Sequence, residues 1–301
     1  LGISVVTYTR KNSIKDLPDK LKDVDFIVHL AGENKPSDEK DFENVNIGLT
    51  ESICNAIRKV DRNIPIIFSS SVQANLTNAY GKSKLGAELI LKQLKKDIGN
   101  PVFIYRLPGV FGKWCKPNYN SVVATFCHNI SHNLPIKINN TSFELKLVHI
   151  DDVVEEFISL CHGKLQNRSN LSIQPEYKIT LGKLAEQINR FHASRNSLIS
   201  ERVGNGLTRK LYSTYVSYIS PKNFSYSIPT HVDKRGSFAE VLKTKDSGQF
   251  SFFTAESGVT RGGHYHNSKT EKFIVVKGKA RFGFRNIVTN ETHEIFVSDK
   301  N

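Results

Sequence analysis

The 301-residue chain has no methionine at all, not even at position 1, and a single tryptophan. It opens on "LGISVVTYTR", already inside an apolar, β-branched pattern, so the expected object is a fragment of a longer chain. No apolar run approaches the roughly 20 residues that span a bilayer, the longest being "IPIIF" and "FIVV", and no basic-then-apolar leader opens the chain. Membrane insertion and a secretory leader are therefore not expected. Four cysteines (Cys54, Cys115, Cys127, Cys161) are scattered with no CxxC pair, which points to reduced thiols and a cytoplasmic setting. Glycine is missing where it would matter most for a dinucleotide site, because only Gly2 precedes Gly32. The G-x-G-x-x-G turn that seats a pyrophosphate on a helix N-terminus is therefore absent from this stretch.

What is present is an ordinary folded composition, 39% hydrophobic and 24% charged, with a formal net charge of +13. The basic residues are spread rather than clustered. That disfavours nucleic acid and leaves a phosphate-bearing small molecule, or a merely lysine-rich surface, as the explanation.

Residues 1–222 alternate strand and helix patterns. "ISVVTYT", "DFIVHLAG", "IPIIFSSS" and "PVFIYRLP" read as strands, and 41–60, 79–97, 118–132, 151–162 and 181–193 as helices, with another strand near 171–174. Such alternation predicts a doubly covered parallel sheet, an α/β Rossmann-like fold. From 223 to 301 the pattern changes to short alternating strands, "FSYSI", "SFAEVLKT", "QFSFFTA", "EKFIVVKG", "ARFGFRN" and "HEIFVSD", which predict an all-β sandwich or barrel. The boundary is placed near Pro221.

Tyr80 and Lys84 stand one helical turn apart, a spacing that lets an ammonium act on a phenol and on a ribose hydroxyl. Tyr218/Lys222 and Tyr265/Lys269 repeat the spacing, so the pattern alone proves little. Only Tyr80 follows a buried strand ending in three serines and opens a helix. With "VHLAG" (28–32), "NVNIG" containing Asn46, "RLPGVFG" (106–112) and "LVHIDDVV" (147–154) in order, the chain resembles the extended short-chain dehydrogenase/reductase family. The resemblance implies Tyr80 as general acid, Lys84 orienting the nicotinamide ribose, and Ser71, preferred over Ser70, on the substrate carbonyl. It sets Leu30, Ala31 and Gly32 beside the coenzyme. Asn46 supports either a relay water or simply a buried hydrogen bond. Arg10, at the end of what reads as the second strand of such a fold, suits the 2′-phosphate of NADPH or is an ordinary strand-end charge. Arg106 and Gly109 fall at substrate-side positions, and Gly109 replaces the family's usual asparagine. The first βα unit is expected to lie outside these residues.

Gly258-x5-His264-x-His266-x4-Glu271-x6-Gly278 matches the first signature of the cupin family at full length. Alternate residues of a strand share a face, so two imidazoles and a carboxylate are expected to converge on Zn(II) or another divalent ion; a metal-free cupin with polar pocket histidines is the alternative. The remaining barrel strands are expected beyond Asn301. "DKRGSFAE" (233–240) resembles a segment of sugar-nucleotide 3,5-epimerases, where Arg235 contacts a pyrophosphate or only pairs with Asp233. A reductase joined to a cupin resembles the bifunctional enzymes of capsule polysaccharide biosynthesis. Those form UDP-2-acetamido-2,6-dideoxy-L-talose on the route to UDP-N-acetyl-L-fucosamine. The resemblance implies a UDP-sugar substrate, C3 epimerisation by the cupin, C4 reduction with NADPH, and a homodimer. The rival readings are a non-catalytic sugar-nucleotide-binding protein and a plain reductase with a structural cupin.

Overall fold

Strand β1 (Ile27–His29), β2 (Ile66–Ser71) and β3 (Val102–Leu107) run parallel in that order, Ile27 beside Ile66 and Ile66 beside Val102. The computed structural model describes residues 2–164 and 171–300. In β2 the run Ile66, Ile67, Phe68 is buried on both faces, as a strand between two helical layers requires. Each such side chain contributes roughly 1.5–3 kcal/mol of burial. One face packs on helices α1 (Leu17–Leu21), α2 (Gly48–Val60) and α3 (Ala79–Ile98), through Ile53, Ile57, Leu91 and Leu94. The other face packs Ile67 and Tyr105 on Val153 and Phe157.

Strand β4 (Gly109–Phe111) lies parallel to β5 (Glu144–His149), which pairs antiparallel with β6 (Tyr177–Thr180). Around this second sheet stand α4 (Val122–Ser131), α5 (Ile150–Cys161), α6 (Leu181–Ser197) and α7 (Gly206–Val216). Phe126, Ile188, Phe191 and Tyr215 form its core.

Strands β7 (Thr230–Asp233), β8 (Gly236–Lys243), β9 (Gln249–Phe253), β10 (Lys279–Arg285) and β11 (Thr292–Ser298) follow. The chain divides into two compact units, Leu1–Thr230 with Phe238–Phe252, and His231–Ser237 with Phe253–Asn301. Residues 238–252 join the first unit for a visible reason. Lys243 exchanges backbone hydrogen bonds with Leu198 and Ser200, and Lys245 pairs with Glu201 at 3.0 Å.

Several expectations are corrected. Residues 3–9 form no strand, and Val5 and Val6 are exposed: among the described residues no neighbouring strand takes up their backbone groups. The strand near 171–174 lies instead at 177–180, and α7 had no counterpart in the sequence reading. "FSYSI" and "EKFIVVKG" are not strands. The closed all-β barrel is not found among the described residues; β10 and β11 make an open two-stranded ribbon. A ribbon has two unpaired edges, and Phe284, Ile295 and Phe296 on it stay exposed.

Candidate active site

The three serines ending β2 have three different jobs. Ser69 donates its hydroxyl to the His29 carbonyl at 3.3 Å, and its own carbonyl receives the Lys84 ammonium at 3.0 Å. Ser70 donates to the buried Glu88 carboxylate at 2.6 Å. Arg106 on β3 closes on the same carboxylate with Nε at 2.8 Å and Nη2 at 2.7 Å. That fork and the serine hold the Glu88 carboxyl below the usual carboxylate range against the cost of its burial. Ser71 is left beside the Tyr80 phenol, where its hydroxyl favours the ionised form, while also accepting from the Gln73 amide at 3.2 Å. Ser71, not Ser70, is thus the hydroxyl available beside Tyr80.

Helix α3 delivers Tyr80 and Lys84. Asn78 caps it by accepting the Gly81 amide at 2.6 Å. Gly81 is dictated by space, because a Cβ there would lie 2.2 Å from the Gln73 carbonyl. This close approach brings the first turn of α3 onto the loop after β2, and Tyr80 onto Ser71. Burial raises the Tyr80 phenol above its ordinary value. The smaller opposing effect comes from Ser71, and Lys84 Nζ stands 6.0 Å from the Tyr80 ring centroid. Lys84 itself is buried and pushed down to about 8 by desolvation, its ammonium 5.0 Å from the Phe68 ring centroid.

Asn46 is buried on a π-helical turn, Phe42–Ile47, that leads into α2. Its Oδ1 accepts the Glu33 amide at 2.7 Å, and its Nδ2 donates to Ser83 at 2.9 Å and to the Glu33 carbonyl at 3.2 Å. It therefore ties the loop after β1 to α3. Leu30, Ala31 and Gly32 lie on that loop. A Cβ on Gly32 would stand 2.9 Å from Asn46 Oδ1 and 3.1 Å from Lys84 Nζ, so only glycine keeps this edge of the site open. A flat, amide- and ammonium-rimmed edge at the carboxyl ends of parallel strands fits the ribose and nicotinamide half of a dinucleotide. Arg10 is largely exposed and pairs with Glu33 at 2.9 Å.

Three substrate-side candidates have structural duties. Arg106 is committed to Glu88, as above. A Cβ on Gly109 would stand 2.9 Å from Leu147 Cδ2, so β4–β5 packing leaves no room for the asparagine usual there. Arg235 forks onto Asp233 in its own hairpin, Nη2 at 2.6 Å. Sequence reasoning missed Glu88 and His29. A glutamate one turn beyond Lys84 and an arginine on the next strand were the signal for the first.

In the second unit the ligand atoms of His264, His266 and Glu271 all lie within 4.8 Å of one another, all three residues exposed. They sit on an irregular segment, not on a strand; Gly262 and Gly263 take φ of +116° and +76° and break the extension. The imidazole rings are 5.0 Å apart, and Glu271 is held by Lys269 at 2.7 Å. Two nitrogens and one carboxylate so grouped fit a divalent ion.

Residues 231–301 match the model of the polysaccharide biosynthesis C-terminal domain. A curated relative, the UDP-2-acetamido-2,6-beta-L-arabino-hexul-4-ose reductase of Pseudomonas aeruginosa, is 56% identical over 294 residues, covering 98% of this chain and 79% of the relative. The crystal structure of the capsular polysaccharide assembling protein CapF from Staphylococcus aureus has a TM-score of 0.87 at 39% identity, covering 97% of this chain and 79% of that one. A UDP-glucuronic acid 4-epimerase from Bacillus cereus, in complex with NAD, shares the fold at a TM-score of 0.60 and 17% identity, over 71% and 81% of the two chains. With residues 3–170 matching the model of the NAD dependent epimerase/dehydratase family, and the relatives matched over most of their length, the chain belongs to that family.

Proposed function

We propose that the protein reduces the C4 ketone of a UDP-4-keto-6-deoxy-N-acetylhexosamine with NADPH, in the synthesis of a capsule or surface polysaccharide precursor. The observation that carries this is the convergence of Ser71, Tyr80 and Lys84 at the carboxyl end of β2. When bound, the nicotinamide coenzyme supplies the hydride to C4. Ser71 and Tyr80 hold the carbonyl oxygen by hydrogen bonds, and Tyr80 passes its proton to that oxygen as it becomes an alkoxide. A phenol kept protonated by burial suits a proton donor. Lys84 presents its ammonium to the ribose, and Gly32 keeps the loop clear for the ring. Arg10 offers a cation for a 2′-phosphate once Glu33 releases it.

In the same reading, residues 1–222 form the reductase region and 223–301 a cupin-like region. His264, His266 and Glu271 would hold Zn(II) or another divalent ion. When bound, the ion polarises or positions the sugar for C3 epimerisation, since a 4-ketone acidifies the C3–H. The working form is taken to be a cytoplasmic homodimer. The test is NADPH oxidation by full-length protein given the UDP-4-keto sugar, compared with Tyr80→Phe. Consumption of NADPH that vanishes in the variant supports the reading; unchanged turnover removes Tyr80 from the chemistry.

A further inference from the structure

His29 ends β1, and both it and Thr50 on α2 are buried. The Thr50 hydroxyl sits 3.0 Å from His29 Nε2 and 2.6 Å from the Asn46 carbonyl oxygen. A hydroxyl has one proton, and a carbonyl can only accept it, so Thr50 must donate to Asn46. The contact with His29 then requires the proton on His29 Nε2. The neutral Nε2–H tautomer is thereby fixed by the network itself. Burial with Lys84 nearby holds the ring neutral, with its pKa down to about 4. The ring is also pinned against Phe68 at 5.1 Å, and its backbone carbonyl accepts from Ser69 at 3.3 Å.

The chain His29 to Thr50 to Asn46 ends on a π-helical turn. Such turns are rare and frequently mark functional sites, where surrounding contacts hold them. This one carries the amide that bonds Glu33 on the coenzyme-side loop and Ser83 on the helix of Tyr80. We infer that His29 is a positioning residue, which through Thr50 keeps that turn in the register that aims the Asn46 amide at both elements. The inference rests on the reductase reading for its functional consequence, though not for the hydrogen-bond chain itself.

Four variants of the full-length protein test it: Thr50→Val and His29→Leu break the chain, while Thr50→Ser and His29→Gln keep a hydroxyl and an Nε2–H donor. The readouts are NADPH affinity by fluorescence titration, the kcat and KM pair, and amide exchange at Glu33. Losing one buried hydrogen bond of this kind should weaken NADPH binding and speed Glu33 exchange about tenfold, with kcat at saturation changing less than about threefold. The two conservative variants should recover most of both. Wild-type affinity and exchange in Thr50→Val would overturn the inference, as would a loss that Thr50→Ser fails to rescue. Should His29→Leu not fold, the Thr50 pair decides alone. If wild-type protein neither binds nor oxidises NADPH, the reductase reading fails, while Glu33 exchange still judges the chain.

Discussion

The two candidate sites are built on opposite physical terms. Around Tyr80, polar groups are buried and each is matched: Ser70 with Glu88, Glu88 with Arg106, Lys84 with Ser69, Asn46 with Glu33 and Ser83. Around His264 the three donors are exposed on irregular backbone, with a lysine already paired to the glutamate. The first site is held by what surrounds it, so a change of one partner leaves a charge or amide stranded in a dry interior. The second groups its donors within 4.8 Å of one another at the surface, so a change in its surroundings strands no buried charge.

That contrast predicts where single substitutions hurt. Arg106→Leu strands the Glu88 carboxylate and should cost about 2–3 kcal/mol in chemical denaturation, less than a fully buried pair because Arg106 is partly exposed and Lys92 stays 3.6 Å away. A loss of activity at unchanged stability would instead return Arg106 to the substrate. Tyr80→Phe should lower kcat at least about 100-fold with stability nearly unchanged, the proton donor being the only group removed. His264→Ala should weaken Zn(II) binding at least about tenfold and leave NADPH turnover by the first unit within about threefold. A metal affinity equal to wild type would dissolve the second site.

The fourth prediction concerns pH. Below about pH 8, Lys84 carries its charge in both folded and unfolded chains, and its burial costs stability. Between about 8 and the ordinary 10.5, only the unfolded chain keeps the proton, so stability rises with pH. Lys84→Met should therefore be more stable than wild type at pH 7 but inactive, with its advantage shrinking toward pH 10. In wild type, the coenzyme KM should climb above about pH 8 as the ammonium is lost. A flat difference across this range would mean that the ammonium is better solvated than its burial implies.

The same contrast governs what the sequence made legible. Ser71, Tyr80 and Lys84 were singled out because a buried strand ending in three serines runs into a helix that Tyr80 opens, and the structure has both elements there. His29, Glu88 and the commitment of Arg106 were not, because each depends on a partner tens of residues away that no local spacing records. The grouping of His264, His266 and Glu271 was expected from a strand, yet they converge without one. Spacing of donors carried the information; the strand assignment failed because alternation cannot supply the neighbouring chain a strand needs. The same failing applies to residues 3–9.

The clamp of Ser70, Glu88 and Arg106 has a consequence for heredity and for protein engineering. Each member is tolerable only in the presence of the others, so the fitness of a change at one position depends on the residues at the other two. A lineage cannot cross from this arrangement to an apolar one by single neutral steps through Arg106. A paired replacement of Glu88 and Arg106 by leucine and methionine crosses in one step, and the loss of the buried charge can leave it as stable as the parent. In a library of variants the two positions should therefore covary, while Ser71 beside them stands outside the clamp and caps the turn that follows β2.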